Sequence, residues 1–128
     1  MHAVFVYGSL KKGFYNHAFL RGARFAGSVV TAQPYSLFSF GPYPGLYHTP
    51  EYRIAGELYL VNDAGLQRLD ELEENGHEYL REKIELHNSA GESLSAWCYF
   101  CLLPHGRGLR GSGVHIDDKG VASWQRRR

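Results

Sequence analysis

The sequence predicts an α+β fold: a small mixed, partly closed β-barrel of about six strands with two flanking helices packed outside it. Three observations predict it. Short strand-like runs follow one another with only turn-rich stretches between them. One segment, Asp63 to about Glu74, carries a clear helical stripe. The 128 residues suit one domain, and a chain of that size buries roughly two-thirds of its unfolded surface, so its core needs no disulfide or metal.

The elements are justified in order. Ala3 to Tyr7 is an apolar run stopped by Gly8, which reads as a buried strand. Ser9 to Gly13 is a loop rich in glycine and lysine, and Asn16 to Arg21 reads as a short helix capped by Asn16. Ala23 to Ala32 and Tyr35 to Phe40 are two further strands, followed by the turn-rich loop Gly41 to Gly45. Ile54 to Val61 alternates as a strand does. Tyr79 to His87 and Leu94 to Leu103 are two more, joined by the polar turn Asn88 to Glu92. Beyond Pro104 the composition passes to Gly, Arg and Asp with little periodicity. With no repeat, low-complexity tract or linker, the expectation is a single domain over residues 1–128, with a core of about 3–103 and a tail over 104–128.

Composition narrows the function. Hydrophobic residues at 44% and charged residues at 21% describe a globular chain. A net charge of +1 gives no footprint for nucleic acid; the one basic cluster, Arg126 to Arg128, reads as a frayed, solvated tail. No apolar run reaches the roughly 18 residues of a membrane helix. With no signal peptide and no disulfide framework, the expected compartment is the cytoplasm. Cys98 and Cys101 are spaced C-x-x-C within a strand-like run, where residues three apart face opposite ways, so both read as core fillers. His77-Glu78-Tyr79-Leu80-Arg81 begins like H-E-x-x-H but ends in arginine, and the other histidines are scattered; no metal or other cofactor is expected.

Two features carry chemistry. The first is on the helix. Leu66, Leu69 and Leu72 form its apolar stripe, with Asn62 or Asp63 as cap and Asn75-Gly76 as its end. At 100° per residue, Glu73 lies roughly 40° from Leu69, whereas Asp70, Glu71 and Glu74 lie about 100°, 160° and 140° away. Glu73 therefore sits on the buried side, where apolar surroundings raise a carboxyl pKa and suit it to general acid–base work. A plain alternative places Glu73 at a frayed helix end, in water. The second feature is Tyr7-Gly8-Ser9-Leu10, leaving the first strand. Gly8 allows unusual backbone angles, and the amides of Gly8, Ser9 and Leu10 can form a nest for an anion or carbonyl, with the Ser9 hydroxyl and the Lys11 charge nearby. The alternative is an ordinary strand-to-helix turn.

Together these features resemble the γ-glutamylcyclotransferase-like family, which includes γ-glutamylamine cyclotransferases and plant AIG2-like proteins. The matching residues are Val4 to Gly13, Asn16-His17, Tyr43-Pro44-Gly45, Gly56-Glu57-Leu58-Tyr59, Leu69 to Glu73 and Tyr79-Leu80-Arg81, covering residue 4 to about 103. The resemblance implies a small mixed barrel and an enzyme that cyclises a γ-glutamyl group to 5-oxoproline, releasing an amine or amino acid. It implies Glu73 as the catalytic acid/base and Tyr7, Gly8, Ser9 and Leu10 as the substrate loop, with Tyr99 lining the same pocket. The Ser-Leu-Lys of the loop, where glutathione-degrading relatives differ, turns the expectation away from free glutathione. The implied partner is a small γ-glutamyl molecule. Two other functions fit the same pocket: a non-catalytic binding module for a γ-glutamyl or amino-acid-like ligand, and a γ-glutamyl amide hydrolase. Arg81 reads as orienting a nearby carboxylate. Residues 47–52 and the tail have no assigned meaning.

Overall fold

The computed structural model describes residues 1–14, 16–104 and 113–125. The chain runs β1 (His2–Val6), a 3-10 turn (His17–Leu20), β2 (Arg24–Thr31), β3 (Tyr35–Ser39), β4 (Pro44–Val61), α1 (Asp63–Leu72), β5 (Tyr79–Asn88), β6 (Ser93–Cys101), β7 (Val114–Ile116) and β8 (Val121–Trp124). The sheet-dominated α+β class is as expected. Its order is β1-β6-β5-β2-β4-β8-β7, with β3 on β4, and β4 also pairs β1. The sheet curls back on itself but closes only in part. β1 runs antiparallel to β4 over five pairs, His2↔Val61 to Val6↔Glu57, yet meets β6 at the single parallel pair Val4↔Trp97.

The described residues hold eight strands, not six, and one α-helix, not two. The two extra strands, β7 and β8, lie in the tail; at three and four residues they are too short to show a period. Their turn is set by Asp117, whose Oδ1 accepts from the amides of Lys119 and Val121 at 2.9 Å each. β8 then adds in parallel to β4 through Arg53↔Val121 and Ile54↔Ala122. The expected helix at 16–21 is only a 3-10 turn without a side-chain cap; the Asn16 side chain is turned to Ser9, donating from Nδ2 to Ser9 Oγ at 3.0 Å. The strand ending at Val61 starts ten residues earlier than the alternation at Ile54 suggests, at Pro44. A proline at a strand's first position removes no needed donor, and residues 44–47 pair back onto β3. Residues 47–52 thus belong to β4.

Both faces of the curled sheet are covered. β1 and the residue that follows it send Phe5 and Tyr7 into one apolar cluster and Val4 and Val6 into the other; β6 divides Cys98 and Phe100 from Tyr99 and Cys101 in the same way. The two thiols therefore face opposite ways, both buried and free. Gly56 of β4 is required by close approach: a Cβ there falls 2.5 Å from the Phe5 ring and the Val6 carbonyl.

α1 closes one face with Leu66 and Leu69 buried. Asn62 is its cap, accepting from Gly65 N at 2.7 Å. The helix ends at Leu72 with Glu73 as C-cap. The left-handed residue is Glu74, φ 49°, rather than glycine. The amides of Glu74 and Asn75 reach the carbonyls of Glu71 (3.2 Å) and Asp70 (2.9 Å), a Schellman ending. Among the described residues no helix is long and apolar enough to cross a membrane, and no group of three or more His, Cys, Asp or Glu side chains is placed to hold a metal ion. The terminal arginines lie outside the described residues.

Candidate active site

A cavity of about 180 Å³ opens where β1 ends. Its wall includes all six residues picked out in the sequence: Tyr7, Gly8, Ser9 and Leu10 on the loop after β1, Glu73 at the end of α1, and Tyr99 on β6. Residues the sequence did not mark as walls complete it: Phe5, Val6, Asn16, Tyr43, Pro44, Leu72, Glu78 and Tyr79.

The loop is built from two successive turns. Lys11 N donates to Gly8 O and Phe14 N to Lys11 O, both at 3.0 Å. Gly13, φ 88°, takes the left-handed position of the second turn. Gly8 has no such angle; its reason is space. A Cβ on Gly8 would fall 2.7 Å from both Cγ and Cδ of Pro44. This replaces the expectation of a special backbone angle at Gly8. Among the described residues the amides of Gly8, Ser9 and Leu10 donate to no protein acceptor, leaving three donors at the rim. Ser9 accepts from Asn16 Nδ2, which leaves its own hydroxyl proton available. Lys11 is not part of the wall.

Two carboxylates line the cavity, Glu73 and Glu78, and Glu73 is the perturbed one. It is half-buried, and no described group donates to its carboxylate. Burial, helped by the negative charge of Glu78, pushes its pKa from the ordinary 4.5 up to about 7. The tyrosines around it keep their protons, because burial raises Tyr7, Tyr79 and Tyr99 above their ordinary value. Each proton is already committed: Tyr7 to the Tyr99 carbonyl (2.6 Å), Tyr79 to the Pro44 carbonyl (3.0 Å), and Tyr99 to Asp70 Oδ1 (2.6 Å). They shape the wall rather than offer it donors. Behind them Arg81 pairs with Asp70 at 2.9 Å and lies 4.1 Å from the Trp97 ring centre. Arg81 thus has its carboxylate, Asp70, though the helical angle had only pointed Asp70 sideways.

The fold and cavity define a small sheet-dominated α+β protein in which α1 delivers a perturbed carboxylate to a pocket beside the first strand's loop. The chain belongs to the gamma-glutamyl cyclotransferase, AIG2-like family, whose sequence model matches residues 4–118. A protein of Methanocaldococcus jannaschii, provisionally named a gamma-glutamylcyclotransferase, is 37% identical over 102 residues, covering 78% of this chain and 84% of its own. The gamma-glutamylcyclotransferase family protein YtfP of Escherichia coli K12 is 34% identical over 115 residues, covering 89% and 96%. The crystal structure of a mouse AIG2-like protein superimposes with a TM-score of 0.74 at 24% identity, covering 100% of this chain and 97% of its own, which shows the shared fold.

Proposed function

We propose that this protein cyclises a γ-glutamyl group to 5-oxoproline and releases an amine or amino acid, with Glu73 as general base and then general acid. The observation that carries the proposal is Glu73 itself: a carboxylate pushed up to about 7 that no described residue donates to, in a small pocket whose wall it shares with Gly8, Ser9 and Leu10. A base poised near neutrality removes a proton efficiently and can return it.

The substrate's α-amine is its own nucleophile. Glu73 takes a proton from the α-ammonium, and the freed amine attacks the γ-carbonyl. A new C–N bond closes the five-membered ring, Glu73 returns its proton to the γ-amide nitrogen as that C–N bond breaks, and the second proton that the ring nitrogen sheds in becoming a lactam leaves with the departing amine, which is released as its ammonium ion. The attack is intramolecular, so the protein needs no nucleophile of its own, and folding the γ-glutamyl arm supplies the effective concentration. The amides of Gly8, Ser9 and Leu10 hold the α-carboxylate or the oxyanion, with the Ser9 hydroxyl beside them. Tyr7 and Tyr99 form the wall that folds the arm.

Product identity tests this reading. Purified protein is incubated with γ-glutamyl amino acids, γ-glutamyl amines and γ-glutamyl-lysine isopeptides, and the products are weighed by mass spectrometry. The proposal predicts 5-oxoproline. Release of glutamate identifies a hydrolase, and binding without release a binding module; either result rejects it.

A further inference from the structure

Lys11 follows the pocket loop but turns away from the pocket. Its Nζ donates to the backbone carbonyl of Trp124, the last residue of β8, at 2.6 Å. The same ammonium lies 5.1 Å from the Phe14 ring centre, over the loop's second turn. Its main chain ties both turns of the loop, donating to Gly8 and accepting from Phe14. Glu57 of β4 adds a second fastening, accepting from Lys12 N at 2.9 Å. The far end is firm: Trp124 is buried in the core, its ring seats against Gly113, and Gln125 N donates to Gly113 O at 2.7 Å.

We propose that Lys11 is a positioning residue: by fastening the Gly8–Leu10 loop to the β7–β8 hairpin, it sets the affinity of the pocket for its substrate. This gives the tail a role in the site although none of its described residues lines the cavity. A loop whose open amides bind by geometry needs such a tether, because its affinity depends on donors already in place. Lysine suits it, with a point charge on a long stem that reaches a carbonyl and covers an aromatic ring on the way. The proposal rests on the pocket being the substrate site.

The test uses the full chain as wild type, Lys11→Met and Lys11→Arg. Hydrogen–deuterium exchange is followed at the amides of Lys11, Phe14, Asn16 and His17, which the loop's own carbonyls hold. In Lys11→Met these are expected to exchange roughly tenfold faster while β5 and β6 keep wild-type protection, and Lys11→Arg is expected to restore most of the difference. In turnover, Lys11→Met is expected to raise KM roughly tenfold and to leave kcat and its pH profile as they were. Wild-type exchange in the Lys11→Met loop overturns the proposal, as does a loosened loop with unchanged KM. Faster exchange throughout β5 and β6 also overturns it, because Lys11 is then a general stabiliser. If the wild type turns over no γ-glutamyl compound, the functional reading fails separately, and the exchange pattern alone decides the tether.

Discussion

Arg81 holds Asp70 with two donors, Nε at 2.9 Å from Oδ1 and Nη2 at 3.3 Å from Oδ2. The pair joins β5 to the last turn of α1, three residues before Glu73. Tyr99 donates to the same Oδ1, and its own carbonyl takes the Tyr7 hydroxyl, so one chain of contacts links α1, β5, β6 and the pocket loop. Arg81→Met is expected to destabilise the protein by about 1–2 kcal/mol, between the values for exposed and buried pairs. Arg81→Lys keeps the charge but loses the fork and is expected to recover less than half of that. Urea unfolding of the three proteins measures both.

Glu74 bears the left-handed angle that ends α1, with φ 49°. A residue with a Cβ pays for that conformation and glycine does not. Glu74→Gly is therefore expected to stabilise the protein by about 0.5–1 kcal/mol, after the extra freedom of an unfolded glycine is deducted. The urea midpoint should rise; a fall would show that the Glu74 side chain contributes more than its backbone angle costs.

Gly8→Ala places a Cβ 2.7 Å from the Pro44 ring. The loop must shift, and a displacement of about 1 Å at a site of this kind costs on the order of 100-fold in rate. The expected result is a kcat/KM reduced by that order with the urea midpoint little changed. Steady-state kinetics on the best γ-glutamyl compound measures it.

The raised pKa of Glu73 also appears in stability. Its folded value, about 7, exceeds its ordinary value of 4.5, so the folded state binds the proton more tightly than the unfolded state. That contribution is fully present below about 4.5 and is lost as pH rises through about 7. Glu73→Gln resembles the protonated form at every pH. It is expected to be more stable than wild type by about 3 kcal/mol near pH 8, with the difference vanishing near pH 4. Urea titrations at the two pH values check the sign.

The parts legible in sequence are those where a local period decides the outcome. Leu66 and Leu69 fixed the buried face of α1, and with it the direction of Glu73. Alternation in β6 separated Cys98 from Cys101. What escaped was set by contacts distant in sequence. β7 and β8 are too short for a pattern and exist because they add to β4 and an Asx turn at Asp117 reverses the chain. Asn16 carries the residue type of a helix cap, but its side chain caps nothing and meets Ser9 instead. Gly8 looked like a backbone-angle glycine; its reason, the Pro44 ring, lies 36 positions away. Glu78 and Tyr79 reach the pocket only because β5 begins beside the end of α1.

The most direct test of the central claim is the pH dependence of kcat/KM for 5-oxoproline release by wild type and Glu73→Gln. A base must be unprotonated to act, so wild-type activity is predicted to fall as pH drops through about 7. Glu73→Gln is predicted to keep its fold, to lose about 10³-fold in rate above pH 7, and to lack the wild-type fall through that range. A Glu73→Gln protein that releases 5-oxoproline at the wild-type rate would contradict the account.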